Sequence, residues 1–378
     1  MRSIFLGLAL LVGAFSSPAA ISKYLMYVGT YTGPNSKGIY VFQYDPATGK
    51  VDPLGLAGEI ERPSFLALHP NGRFLYAVSE LGNNGLVNGS ITAFAIDPKS
   101  GKLRTLNTVS SGGGGACHLV VDRTGKTLVV ANYGSGSVAS FKVNGDGTLS
   151  GPVSLFKHTG SSVDPKRQTG PHAHAVVLSP DQRFVFVPDL GLDQIRVYRL
   201  DAATATLSPS APPFVATKAG SGPRHFAFSP NGKFAYSVHE MGSLVTAWSY
   251  AAASGKLAEL QTISTLPPVF HGVNNSAEIE VDAGGSHVYA SNRGNDSIAV
   301  FAIEKYTGKL RILQIVPTEG RTPRNFKIDP AGRYLFAANQ DSNNIVIFKI
   351  DPGAGTLTPR GQVVDVPSPV CVQFVPVE

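Results

Sequence analysis

The sequence predicts an all-β fold, a seven-bladed β-propeller of four-stranded blades. Three recurring markers predict it. The first is a turn after a short apolar run, at Asn71-Gly72-Arg73, Thr124-Gly125-Lys126, Asp181-Gln182-Arg183, Asn231-Gly232-Lys233, Gly284-Gly285-Ser286 and Ala331-Gly332-Arg333. Its period is about 50 residues, in the range of propeller blades. The second is an aromatic residue expected to end the third strand of each repeat, at Phe42, Phe94, Phe141, Tyr198, Trp248, Phe301 and Phe348. The third is a turn at Gly49-Lys50-Val51, Gly101-Lys102-Leu103, Gly147-Thr148-Leu149, Gly255-Lys256-Leu257, Gly308-Lys309-Leu310 and Gly355-Thr356-Leu357, with Thr206-Leu207 as a degenerate member.

Each repeat carries four strand-like runs. In the second repeat they are residues 65–68, 74–78, 90–96 and 103–109. Apolar and polar residues alternate clearly in third strands, as in Ser297-Ile298-Ala299-Val300-Phe301, which is the pattern of a half-buried strand. No segment shows a helical period. The 41 glycines and 27 prolines, with only 15% charged residues, suit many short strands joined by turns.

The register also says how the ring closes. Residues 24–28 read as a second strand with no first strand before them, and residues 370–374 as a first strand with no second after them. Together they complete one blade, giving a single domain over residues 21–378. Residues 1–20 stand apart: Met1-Arg2 is positive, residues 4–15 are apolar, and Ser16-Ser17-Pro18-Ala19-Ala20 offers small residues for cleavage. This is the pattern of a secretory signal peptide, so a periplasmic or secreted protein is expected. No other apolar run is long enough to span a bilayer.

Net charge is +6, from 32 basic and 26 acidic residues, but the basic residues are scattered. Without a basic run or an aromatic-basic stripe, nucleic acid is not an expected partner. Small anionic molecules fit better. A closed ring implies a monomer. Cys117 and Cys371 fall in blades that are not neighbours, so two buried free thiols are expected rather than a disulfide.

First strands line the axis of a propeller. The residues that open them are Ser64, Cys117, His174, Arg224, Ala277, Arg324 and Val370. Those that close the second strands are Thr30, Glu80, Tyr133, Leu190, Glu240, Arg293 and Gln340. Ionisable groups crowd into consecutive blades: His174, Arg224 with Glu240, Arg293, and Arg324. Buried charges are costly unless paired, so such a cluster needs a reason. Arginine suits carboxylate, phosphate or oxyanion binding, and His174 or Glu240 is a candidate general base or acid. The structural alternative is a set of salt bridges between blades.

His172 and His174 have the spacing of a zinc pair but lack a third ligand. Asn132, Asp189, Asn292 and Asn339 offer hard oxygen for calcium, although nearby arginines oppose a cation. No metal or other cofactor is therefore expected. His225 and His271 stand out by position among the remaining histidines. Two long connections, residues 157–171 and 264–276, are expected to overhang the axial opening, and the run Gly112 to Gly115 reads as a flexible connection.

Over essentially the whole chain after the leader, the sequence resembles the seven-bladed lactonase propellers, the group of bacterial 6-phosphogluconolactonases and carboxymuconate lactonising enzymes. The resemblance rests on Tyr27-Val28-Gly29-Thr30-Tyr31, Asp164-Pro165-Lys166-Arg167-Gln168, Pro171-His172-Ala173-His174 and Val187-Pro188-Asp189-Leu190-Gly191. It continues through Gly222-Pro223-Arg224-His225, Ser291-Asn292-Arg293-Gly294 and Thr322-Pro323-Arg324-Asn325-Phe326. It implies hydrolysis of a small lactone, with His174, Arg224, Glu240 and Arg293 as the catalytic set. Arg324, Asn325, His172 and Arg167 are the expected substrate-binding residues. An exported chain puts a cytosolic phosphosugar in question. A non-enzymatic propeller scaffold and a calcium-dependent lactonase are the competing expectations.

Overall fold

In the computed structural model, which describes residues 23–377, seven four-stranded antiparallel sheets form the ring. The leader at residues 1–20 lies outside the described residues. Among these, the single helical element is one 3-10 turn, Gln340–Ser342. Closure follows the expected register. The strand Pro369–Val377 pairs antiparallel with Lys23–Thr30, from Lys23 against Val377 to Thr30 against Pro369. The ring is thus sealed by sheet hydrogen bonds, which removes two free edges.

The core lies between blades. Tyr44, Phe336 and Phe374 pack at the seam of the first and last blades, with Tyr44 and Phe336 edge-to-face at 5.1 Å. Equivalent apolar layers fill the other seams. Both cysteines are buried and free, as expected.

The aromatic marker has a physical cause, but it does not end the third strand as expected. Phe42 lies inside Gly38–Asp45 and Trp248 inside Leu244–Ala251. In every blade the register to the fourth strand slips beside this aromatic. The marker is a β-bulge, which adds local twist and bends the outer strand.

The glycine marker reports the contact between successive blades. Gly255 has φ +73°, and a Cβ there would lie 2.7 Å from the Phe184 ring of the preceding blade. The neighbouring Tyr hydroxyls exploit this approach. Tyr236 donates to the Gly308 carbonyl at 3.1 Å and Tyr289 to that of Gly355 at 2.8 Å. In the degenerate repeat Ala205 takes the same left-handed conformation, at φ 60°.

Gly112 to Gly115 is not the flexible connection expected. Gly89 N donates to Gly113 O at 2.8 Å and Tyr133 N to Gly115 O at 2.7 Å. A Cβ on Gly114 would collide with the Gly82 and Val87 carbonyls. The run is a close-packed seat for the connection after Phe74–Ser79, which reaches the axial mouth.

Candidate active site

Innermost strands do not keep strict alternation where they reach the mouth. The register slips between Ala116 and His118, Pro223 and His225, Ser276 and Ile279, and Pro323 and Asn325. Cys117, Arg224 and Arg324 are the extra residues at three of these bulges. A bulge re-aims side chains at the end of a strand. Arg224 and His225 can therefore both approach the axis, although adjacent strand residues normally face opposite ways. In the fourth blade the regular first strand is only Val177–Leu178. His174 precedes it, held by its N–H to Pro188 O at 2.9 Å and by the adjacent Ala173–Asp189 bridge.

Glu240 is the hub of the mouth. Its Oε1 accepts from Arg167 Nη2 at 2.7 Å; its Oε2 accepts from Arg224 Nε at 3.1 Å and pairs with Arg293 Nη2 at 2.9 Å. His174 Nε2 lies 3.8 Å from the same Oε2. Glu240 is only 6% exposed and Arg224 3%. Burial pushes the Glu240 carboxyl up, but Arg293, Arg224 and Arg167 outweigh it and hold the group well below the ordinary carboxylate range. Arg224 also donates from Nη1 to Ala277 O at 2.7 Å. Burial and the neighbouring Arg293 and Arg324 lower its pKa to about 10.

Burial, then Arg224, His225 and Arg324, hold the His174 pKa well below the usual imidazole value. Its Nδ1 is buried without a hydrogen-bond partner among the described residues. Above it opens a cavity of about 480 Å³, lined by Arg62, Arg167, Arg293 and Arg324 against Glu80 and Glu240, with Tyr31, Asn83, Cys117, Tyr133 and Gln340. Four guanidinium groups against two carboxylates leave the lining positive, and a walled cleft of one sign concentrates ions of the other.

Below the mouth lies a second, closed tier. His225 Nδ1 pairs with Glu278 Oε1 at 2.8 Å, and Asn325 Nδ2 donates to Glu278 Oε2 at 2.5 Å. Burial raises the Glu278 pKa; Arg224 offsets it only in part. The His174 and His225 rings are 5.5 Å apart.

The structure brings together His174, Arg224, Glu240, Arg293, Arg324 and Arg167, all expected from sequence. It does not bring Asn325 or His172 into the cavity lining. Asn325 braces Glu278 in the lower tier and accepts from Val372 N at 3.0 Å. His172 stacks on Tyr133 at 4.4 Å, with Nδ1 at 2.9 Å from Tyr133 O, so it does not converge with His174 as a zinc pair. Asp189 is engaged by His158 at 2.6 Å and by the backbone N–H of His172 at 2.8 Å. Asn292 and Asn339 each bind side chains or carbonyls at the corner between their own blade and the preceding one. These are turn supports rather than a gathered oxygen set. Among the described residues no group of three His, Cys, Asp or Glu is disposed to hold a metal ion.

Of the two long connections, the first supplies Arg167 to the cavity. The second does not line it; it supports Arg293, whose Nε donates to Asn275 O at 3.1 Å. His271 is exposed on that loop. Sequence reasoning did not assign Tyr31, Arg62, Asn83, Glu80, Tyr133 or Gln340 to the site. The last three were within reach, because they close second strands at the register position of Glu240 and Arg293.

A model of the lactonase family, the seven-bladed β-propeller lactonases, matches residues 25–374. A 6-phosphogluconolactonase of Bacillus subtilis is 38% identical over 357 residues, covering 94% of this chain and 99% of that protein. One of Formosa agariphila is 37% identical over 305 residues, covering 80% and 85%. Among solved structures, the periplasmic gluconolactonase of Pseudomonas aeruginosa superposes with a TM-score of 0.88 at 37% identity, covering 94% of this chain and all of that one. The chain belongs to the lactonase family of seven-bladed β-propellers.

Proposed function

We propose that the protein is a lactonase that opens the ring of an anionic, sugar-derived lactone at the axial mouth, with His174, Glu240, Arg224 and Arg293 as its catalytic set. The observation that carries this reading is His174 beside a carboxylate held by three arginines, at the floor of a positive cavity. The named activities of the relatives support the reaction class.

His174 is the base in this scheme. Both oxygens of Glu240 are occupied by arginine donors, whereas the His174 ring makes no hydrogen bond to a described residue and is free to take a proton. A water molecule attacks the lactone carbonyl carbon as His174 takes its proton. The resulting oxyanion faces Arg293, with the charge of Arg224 one layer below, which is the electrostatic support such an intermediate needs. Glu240 then stabilises the imidazolium. The ring C–O bond breaks, His174 returns the proton to the departing oxygen, and the product leaves as a hydroxy acid. That acid ionises and releases one proton to solvent. Arg167 and Arg324 bind the substrate from the cavity walls; Asn325 and His172 act by supporting Glu278 and Tyr133. No metal enters this scheme.

Proton release makes the test direct. A panel of lactones, including glucono-1,5-lactone and its 6-phosphate, is followed in a pH-stat with and without chelator, using wild type and His174→Asn. Hydrolysis that survives chelator and is lost in the variant supports the reading. Loss with chelator turns it to the calcium-dependent form, and no hydrolysis of any lactone leaves a binding scaffold. We also propose export to the periplasm or medium as a monomer, supported by the leader pattern and by the periplasmic relative. N-terminal sequencing and light scattering on the exported protein check both.

A further inference from the structure

The two walls of the mouth are built on opposite principles. On one wall, Arg167, Arg224 and Arg293 are all paired with Glu240. Across the mouth, the Arg62 and Arg324 guanidinium groups lie against the Tyr31 ring, 4.5 and 5.2 Å from its centroid. Neither has an ion-pair partner among the described residues. Arg62 uses only Nε, donating to Glu80 O at 3.0 Å, and the Arg324 side chain makes no hydrogen bond to any described residue. The nearby carboxylate is engaged elsewhere. Glu80 accepts from the Tyr31 hydroxyl at 2.8 Å and from Asn83 Nδ2 at 3.0 Å. On the same lining, Gln340 Oε1 is buried with no partner.

Arg62 carries a second sign of function. It sits at φ 47°, a conformation that costs a side-chain-bearing residue energy and that glycine would take freely. Its backbone is held there by contacts to Thr32 Oγ1 at 3.1 Å and from Ser64 N and Glu80 N at 2.8 and 3.1 Å. An arginine held in a strained conformation, with its fork open to a cleft, points to a use for that fork.

We propose that Arg62, Arg324 and Gln340, ordered on Tyr31, form a receptor for a terminal anionic group of the substrate, a phosphate or carboxylate carried away from the lactone ring. Guanidinium forks take such groups in a bidentate fashion, and Gln340 Oε1 accepts from a hydroxyl on the carbon chain between. Glu80 is a positioning residue, fixing Tyr31 from behind. This subsite rests on the lactonase reading: the ring to be opened lies at His174, and the anion anchors it from the opposite wall.

The test compares kcat/KM for three substrates of one ring: glucono-1,5-lactone, its 6-phosphate, and the counterpart oxidised to a 6-carboxylate. Arg324→Gln and Arg62→Gly are the variants. A charge-assisted contact of this kind corresponds to roughly tenfold to a hundredfold in selectivity. The expected result is a fall of at least about tenfold in the ratio of anionic to neutral kcat/KM in both variants, the better anionic substrate identifying the group. Arg62→Gly relieves its backbone, so its melting temperature should equal or exceed that of wild type, which separates lost selectivity from lost folding. A smaller change in the ratio, whether both rates fall together or neither moves, overturns the proposal. If wild type hydrolyses none of the three, the lactonase reading fails by itself. The subsite is then read by inorganic phosphate, which should raise the melting temperature of wild type but not of Arg324→Gln; no shift in wild type overturns it.

Discussion

Replacing Glu240 by Gln keeps the shape of the hub and removes its charge. Three guanidinium groups lie within 2.7 to 3.1 Å of that carboxylate, and Arg224 has almost no access to water. Removing one partner of a buried ion pair typically costs about 3–5 kcal/mol, because the other charge stays buried and unpaired. At roughly 1–2 degrees per kcal/mol for a domain of this size, the melting temperature should fall by about 4–7 °C. The activity readout distinguishes a clamp from a base. With Glu240 as clamp, Glu240→Gln keeps a residual hydrolysis whose acid limb is still set by His174. That limb should move to lower pH, because His174 loses its neighbouring carboxylate and keeps Arg224 and Arg324. Thermal melts and a pH–kcat/KM profile on the same preparation measure both. A variant that falls to the uncatalysed rate at every pH while keeping wild-type stability would refute the clamp and make Glu240 the base.

His174→Gln should lower kcat by about 10²–10⁴-fold, the usual range for a lost general base, with little change in melting temperature; a change below tenfold counts against its role. His239 is buried between Ser221 and Ser237, and burial lowers its pKa to about 4. The unfolded chain therefore binds a proton that the folded chain refuses between about pH 6.5 and 4, so stability rises with pH across that window. This one residue accounts for about 3 kcal/mol between the ends, and His239→Gln should flatten the pH dependence of denaturant-unfolding free energy there by that amount. Gly255→Ala forces a left-handed alanine and a Cβ 2.7 Å from Phe184. It should cost about 2–4 kcal/mol in the same assay.

The fold was legible because the chain says the same thing seven times. Positions that must accept a left-handed backbone against a neighbouring blade, such as Gly255 and Gly308, recur as glycine, and bulge positions such as Phe42 and Trp248 recur as aromatics. Ring closure was legible from register alone. The mouth was legible where charges stood out from the repeat, as at Arg224, Glu240 and Arg293. What failed was alternation. It sends His225 away from the wall that Arg224 faces and gives no warning that Glu278 and Asn325 share its tier. A bulge is set by the pairing of two strands, and neither strand's sequence announces it. Arg62 was hidden for another reason: it lies on a connection where the repeat has no expectation, and its only anomaly is a dihedral angle.

The departures from regularity are not spread evenly around the ring. The outer bulges repeat in every blade and serve the architecture, whereas the slips at the mouth end of the inner strands deliver Cys117, Arg224 and Arg324. The shortest first strand is the one that releases His174. A regular propeller would turn half of these side chains into the seams between blades, where an arginine has no counter-charge. Each slip gives up ladder hydrogen bonds at the end of a strand, where few are lost, and gains an axial position. The same reasoning accounts for the placement of Glu240. It follows the last paired residue of Phe234–His239, with its N–H fixed to Gly222 O at 2.7 Å and its carbonyl accepting from Ser276 N at 3.1 Å. Two blades thereby set the backbone of the carboxylate before any arginine reaches it. The carboxylate is thus positioned by the sheets on either side, and its placement does not depend on the ion pairs it makes.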